Sequence, residues 1–170
     1  YMISTANPLA AEAGRDMLRA GGSAVDAAIA TQMVLTLVEP QSSGIGGGGF
    51  LMHFDSKSGS IESYDGRETA PQSATANMFL DANKEPIRFF DAAVGGLSVG
   101  VPGLLRMLQK AHKDHGILPW AQLFAPAIKL SKTGFIVSRR LAEKIASDKY
   151  LKTFPNSKTY FYNTDGSPKA

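Results

Sequence analysis

Four consecutive glycines, Gly46-Gly47-Gly48-Gly49, lie within the stretch Glu39-Pro40-Gln41-Ser42-Ser43-Gly44-Ile45-Gly46-Gly47-Gly48-Gly49-Phe50, where five of twelve residues are glycine. Glycine loses more backbone entropy on folding than any other residue, so such a run needs a geometric reason. The reason is either backbone at positive φ or a neighbour too close for a β-carbon. An apolar, helix-like segment precedes the run, and Phe50-Leu51-Met52-His53-Phe54 reads as a strand after it. The stretch is a helix-to-strand crossing, expected to pack close to the core.

That order excludes an obvious reading. Gly44, Gly46 and Gly49 satisfy the dinucleotide fingerprint G-x-G-x-x-G. The fingerprint works only after a strand and at the head of a helix, where the helix N-terminus meets the pyrophosphate. Here the helix comes first. No Lys-Ser or Lys-Thr follows the glycines, so a P-loop fails too.

The elements around the crossing are legible in order. Asn7-Pro8 opens a helix, with Asn as N-cap and Pro at the first position; Leu9, Ala13, Met17 and Ala20 form its apolar stripe, and Gly21-Gly22 ends it. Ser23-Ala24-Val25-Asp26 is a capping box. From Ala24 to Val38 the next helix is apolar almost all round, which predicts a buried central helix ended by Pro40. Phe50 to Phe54 and Ile61 to Tyr64 pair as a hairpin across Ser56-Lys57-Ser58-Gly59-Ser60. Val101, Leu104, Leu105, Leu108 and Ala111 predict an amphipathic helix ending at Gly116. Pro119 begins another, with Trp120, Leu123 and Phe124 inward; Pro126 breaks or restarts it, Ile128 and Leu130 continue it, and Gly134 stops it. Ser138 caps a helix carrying Leu141 and Ile145. Residues 151–170 read as an irregular polar tail. Two helices, a hairpin and a helical block make an α+β chain, taken as a single domain over 1–170.

The 170 residues suffice for one real core. Net charge is +3 with scattered basic residues, so the clustered stripe that nucleic acid demands is missing. No apolar run is long enough to span a bilayer, and no signal peptide opens the chain. Zero cysteines excludes disulfides and thiolate metal sites. His53, His112 and His115 lack a ligand-like pattern, so no metal is expected; His112 and His115 read as a solvated C-terminal helix turn.

No complete catalytic apparatus is visible. Ser42-Ser43 could act as a nucleophile beside exposed backbone N–H groups, but the sequence places no base near it. Arg67 is the best functional candidate. It follows Tyr64-Asp65-Gly66 at a strand end, before the restricting Pro71. A guanidinium grips a carboxylate through two parallel hydrogen bonds. On chemistry alone, a surface pairing of Arg67 with Asp65 or Glu68 explains it as well.

Five ordered motifs then identify a relationship: Asn7-Pro8-Leu9-Ala10; Gly21-Gly22-Ser23-Ala24-Val25-Asp26-Ala27-Ala28; the glycine stretch 39–50; Arg67-Glu68-Thr69-Ala70-Pro71; and Gly100-Val101-Pro102-Gly103. Together they closely resemble the N-terminal part of the large subunit of gamma-glutamyltransferase (gamma-glutamyltranspeptidase). The resemblance implies part of an N-terminal nucleophile hydrolase αββα sandwich, truncated here. It implies a precursor that cuts itself into large and small subunits. The new N-terminal threonine of the small subunit attacks a gamma-glutamyl carbonyl, typically of glutathione, for transfer to water, an amino acid or a peptide. No cofactor is implied, and the location is periplasmic or extracellular. Arg67 matches the arginine that binds the alpha-carboxylate of the gamma-glutamyl group, and the glycine loop matches no catalytic role. The catalytic threonine has no counterpart in this chain, so no catalytic residue is assigned. The isolated chain is expected to be inactive, to need the small subunit as partner, and to self-associate through an unpaired strand edge. A related cephalosporin acylase or capsule-anchoring transpeptidase, or a non-catalytic glutamate-binding module, remains as an alternative.

Overall fold

A computed structural model describes residues 1–169. Helix α1 spans Pro8–Arg19, and the Asn7 side chain accepts a hydrogen bond from the Leu9 amide at 3.0 Å, as its cap signal predicts. Its buried stripe is Ala10, Ala13, Gly14 and Met17; Leu9 is half-buried and Ala20 exposed. The expected stripe is thus rotated, because α1 lies tightly against the next helix. A β-carbon on Gly14 would stand 2.3 Å from Thr31 Oγ1 and 3.1 Å from the Ala27 carbonyl oxygen. Such an approach selects the face with the smallest side chains. Gly21, at φ 87°, then ends the helix in the left-handed conformation.

Helix α2, Ala24–Val38, begins with the reciprocal capping box. Ser23 Oγ accepts from the Asp26 amide at 3.1 Å, and Asp26 Oδ2 accepts from the Ser23 amide at 2.8 Å. Val25, Ala27, Ile29, Ala30, Met33, Val34 and Val38 are buried, which makes α2 the centre of the main core. It is not buried all round, as its composition suggested. Ala28 is exposed and Gln32 half-buried, because that side faces the cavity beneath the glycine loop.

Strands β1, Phe50–Asp55, and β2, Ser60–Asp65, pair antiparallel with Leu51 opposite Tyr64 and His53 opposite Glu62. Gly59 at φ 72° makes the turn, and the Asp55 carboxylate accepts from the Lys57 and Ser58 amides. Leu51 and Tyr64 pack on the core, whereas Phe50, Met52, Phe54 and Ile61 are exposed on the other face. After a short exposed helix α3, Phe89–Ala93, comes α4, Leu104–His115. It starts later than the apolar spacing implied, because Val101 pairs with Thr69 in an isolated bridge. A helix begun at Leu104 puts Leu104, Met107, Leu108 and Ala111 on one stripe and turns Leu105 out.

Helices α5, Trp120–Leu123, and α6, Ala125–Thr133, bracket the restart at Pro126; Leu123 is wholly buried, Ile128 is exposed, and Gly134 at φ 78° closes the pair. Helix α7, Arg139–Ser147, is capped by Ser138, whose Oγ accepts from the Leu141 amide at 3.1 Å. The irregular tail expected beyond Tyr150 is corrected. Residues Leu151–Thr153 form a 3-10 turn and Pro155–Phe161 form helix α8. Tyr162 is buried with Leu141 and Ile145, and its hydroxyl donates to the Ile145 carbonyl at 2.7 Å. The apolar residues that dock this segment are few and widely spaced, so no periodicity announced it. Residue 170 lies outside the described residues. Helices with one small antiparallel sheet make the chain α+β, as expected.

Candidate functional site

Three of the sequence motifs meet at Arg67, and they meet backbone to backbone. Gly48 comes first: a β-carbon there would stand 2.4 Å from the Gly66 carbonyl oxygen, 2.8 Å from Arg67 Cα and 2.9 Å from the Glu68 nitrogen. From the opposite side, a β-carbon on Gly103 would meet the Gly66 carbonyl oxygen at 2.4 Å and the Arg67 carbonyl oxygen at 3.0 Å. A β-carbon on Gly100 would meet Glu68 Cβ at 2.8 Å. Hydrogen bonds lock the arrangement. Gly66 donates to the Gly49 carbonyl at 2.9 Å, and Gly103 and Leu104 both donate to the Gly47 carbonyl at 3.2 Å. Val101 donates to Thr69 at 2.8 Å, and the Arg67 amide donates to Asp65 Oδ1 at 2.9 Å.

The glycine run therefore has a narrower reason than its composition suggested. None of its members has positive φ, and Gly44 and Gly46 have open space where a side chain would begin. Only Gly48 is excluded from carrying a side chain by the backbone against it. Beneath the loop lies a cavity of about 730 Å³ lined by Ala28, Gln32, Glu68 and Met107 together with residues 40–44 and 46–52. Arg67 lines a neighbouring groove with Gly46, Glu68, Thr69 and Phe79, and Glu68 borders both spaces.

The Arg67 side chain is 59% exposed. Its Nη1 lies 3.0 Å from Glu68 Oε2, yet Glu68 Oε2 receives no aligned hydrogen bond. The contact is Coulombic, and the fork of N–H donors stays open to a ligand carboxylate. Both sequence readings of Arg67 thus have a footing: it sits on a rigid turn, and it pairs with Glu68.

The serine pair gains no base. Ser43 Oγ accepts from Gln32 Nε2 at 2.6 Å, and Ser42 Oγ accepts from Arg140 Nη2 at 3.2 Å. The histidines are corrected. His112 is not a solvated cap: its ring nitrogen lies 2.8 Å from the Leu118 carbonyl oxygen and 3.6 Å from Asp26 Oδ1. His115 Nε2 meets Glu62 Oε2 at 2.6 Å, and the His115 ring stacks on His53 with centroids 3.8 Å apart. His53, Glu62 and His115 therefore form a ligand-like group, against the sequence expectation. The His115 hydrogen bond, with Tyr64 adding to it, holds the Glu62 carboxyl below its ordinary range. Burial, then hydrogen bonds to Glu62 and Asp114, push the Tyr64 phenol well above its own.

Two buried acids carry connections that local motifs do not display. Asp26 Oδ2 accepts from the Ile117 amide at 3.0 Å and the Leu118 amide at 3.1 Å, besides its own cap bond. Glu39 accepts from Asn7 Nδ2 at 3.3 Å, Ser138 Oγ at 3.4 Å, Arg140 Nη1 at 3.4 Å and the Gln41 amide group. It joins the cap of α1 to the cap of α7. The only sequence signal for it was an acid at the end of an apolar helix.

Comparison with known proteins gives the family. The family model described as gamma-glutamyltranspeptidase matches residues 10–170. The glutathione hydrolase proenzyme of Bacillus subtilis is 47% identical over 145 residues, which is 85% of this chain and 25% of that protein. The crystal structure of Helicobacter pylori gamma-glutamyltranspeptidase overlays with a TM-score of 0.91 at 34% identity, covering 99% of this chain and 48% of that one. The cephalosporin acylase of Bacillus halodurans overlays less closely, with a TM-score of 0.77 at 30% identity, covering 98% of this chain and 31% of that one. The chain spans about a quarter of the length of the curated relatives it matches.

Proposed function

Since the chain belongs to the gamma-glutamyltranspeptidase family, we propose that it is the part of such an enzyme's large subunit that grips the alpha-carboxylate of a gamma-glutamyl donor. Its fold is the α+β portion of the N-terminal nucleophile hydrolase architecture. Arg67 is the gripping residue, and one observation carries that reading. The backbone of Arg67 is held between Gly48 and Gly103 while its guanidinium remains exposed beside a groove. A fixed backbone reduces the freedom that a side chain loses on binding. A planar fork of donors suits a carboxylate better than a lysine would. Glu68 then acts as a placeholder that keeps the guanidinium oriented until substrate displaces it.

In this reading the donor is glutathione or a related gamma-glutamyl compound, and the product is the glutamyl group passed to water or to an amine. The attacking threonine comes from the small subunit of the same precursor, outside these residues. Nothing within the site supplies a nucleophile paired with a base: Ser42 and Ser43 are engaged by Arg140 and Gln32. In this reading the chain by itself is inactive. The compartment is periplasmic or extracellular; no helix among the described residues is long and apolar enough to cross a membrane. The closer overlay on a gamma-glutamyltranspeptidase than on a cephalosporin acylase favours gamma-glutamyl donors over the acylase alternative.

The test is cleavage of a gamma-glutamyl anilide by the protein expressed from its complete reading frame. Arg67→Ala should raise KM about tenfold to a hundredfold, the span expected for a lost charge-assisted contact of about 1.5–3 kcal/mol. Arg67→Lys should recover only part, because it lacks the fork. Parental kinetics in Arg67→Ala would reduce Arg67 to a surface charge.

A further inference from the structure

We propose that His53, Glu62 and His115 form a binding site for a divalent first-row transition metal, with zinc as the probe, which ties the end of α4 to the hairpin. The site lies apart from the Arg67 turn and plays no part in the carboxylate reading.

The three residues come from separate places. His53 and Glu62 are directly opposite each other on β1 and β2, so hairpin register alone puts them on one face of the sheet. His115 is the last residue of α4 and lies across that face. One potential ligand atom from each falls within 4.8 Å of the others. The closest pair, His115 Nε2 and Glu62 Oε2, is 2.6 Å apart. A tetrahedral site with metal–ligand bonds of about 2.0–2.1 Å separates its ligand atoms by about 3.3 Å. The pair therefore has to open by less than an ångström, and the stacked His53 ring has to turn so that its in-plane lone pair converges on the same point, to admit a metal.

The bland alternative is an ion pair between His115 and Glu62, with His53 stacked above it. It leaves one observation unexplained: His53 Nδ1 is closed off from solvent and has no hydrogen-bond partner. A buried ring nitrogen without a partner is costly unless something binds it. A metal held through Nδ1 and shared with His115 and Glu62 removes that cost.

The supporting structure is that of an oriented site. The Tyr64 hydroxyl lies 2.9 Å from Glu62 Oε2 and 3.0 Å from Asp114 Oδ2 and has one proton for the two acceptors, so Glu62 has an orienting partner besides His115. Asp26 fixes the chain just beyond His115 by accepting from the Ile117 and Leu118 amides. Two imidazoles and one carboxylate suit zinc, nickel or copper, whereas calcium and magnesium prefer all-oxygen sets. Three protein ligands leave a fourth position for water.

The experiment uses the protein from its complete reading frame, stripped of metal and titrated with zinc alone. Parent, His53→Gln, Glu62→Gln and His115→Gln are compared by calorimetry, with metal-free melting curves as the folding control. A zinc-soaked crystal of the parent gives a second readout that depends on no variant. The expected result has two parts. Each variant binds zinc at least about tenfold more weakly than the parent, the least that removing a ligand costs when outer-shell partners alone cost 10–100-fold. An anomalous peak lies between His53, Glu62 and His115. Parental zinc affinity in any of the three variants overturns the proposal, and so does an anomalous map without that peak. Because gamma-glutamyl cleavage is not the readout, failure here leaves the Arg67 reading untouched.

Discussion

A β-carbon placed on Gly48 would stand 2.8 Å from the α-carbon of Arg67. The glycine loop and the candidate substrate arginine are thus one construction: the loop is bare at Gly48 because the arginine's backbone occupies the space. Gly103 encloses the same turn from the other side.

Gly48→Ala should therefore damage both stability and substrate binding. The new methyl meets backbone on all three nearest atoms, so nothing flexible can move aside. Overpacking of this kind costs about 1–3 kcal/mol. Gly44→Ala and Gly46→Ala, which face open space at ordinary φ, should melt within about 0.5 kcal/mol of the parent. Urea denaturation of the three variants, with KM for a gamma-glutamyl anilide on each, checks the contrast. Equal damage at all three positions would mean that the loop needs glycine throughout.

Asp26→Ala should be among the most destabilising single substitutions in the chain. The carboxylate is 0% exposed and satisfies the amides of Ser23, Ile117 and Leu118. The cap alone is worth about 0.5–2 kcal/mol. Each buried amide left unpaired adds about 1–3 kcal/mol. Asp26→Asn keeps one acceptor oxygen and should lose less. Chemical denaturation of the pair measures the difference, and an equal loss in both variants would contradict the tally of accepted bonds.

Glu39 joins α1 to α7, so its loss should propagate to both. Ser138→Ala removes the cap of α7 and one Glu39 contact, at about 1 kcal/mol. Glu39→Ala strips Asn7 and Ser138 of the same partner and should cost more than Ser138→Ala alone. Because the two positions share a hydrogen bond, their effects should combine non-additively. A double-mutant cycle in urea tests this, and strict additivity would refute a working link.

The C-terminal segment should open at alkaline pH. Burial, with Asp148 adding, raises the Tyr162 phenol above its ordinary value. A phenol whose folded pKa lies above its unfolded one, about 10, favours the fold while it is protonated. That contribution is full below about pH 10 and is lost as pH rises through the folded value. Hydrogen exchange of the α7 and α8 amides, compared between neutral and alkaline pH after correction for intrinsic exchange, should show it. Tyr162→Phe should start less protected by about 1 kcal/mol, for the lost bond to Ile145, and lack this pH step. A step of equal size in the variant would assign the effect to another group.

Much of the local structure was legible because its partners lie within a few residues. Asn7 reaches Leu9, Ser23 and Asp26 satisfy each other, and Ser138 reaches Leu141. The hairpin followed from its alternation and turn, and Arg67 was placed past the end of β2 from the Asp65-Gly66 signal. Where the reading slipped, packing overrode pattern. The stripe of α1 turned toward Gly14, and α4 took Met107 inward in place of Leu105.

The sequence by itself determined the family, the helix caps, the hairpin and the candidate arginine, since each is written in neighbouring residues or ordered motifs. Only the tertiary structure decided why Gly48 must be glycine, which distant segments Glu39 and Asp26 fasten, and that His53, Glu62 and His115 meet. Those facts join residues up to 101 positions apart. They depend on strand register and on the rotation of each helix about its axis. Core packing sets both quantities, and no single segment encodes them.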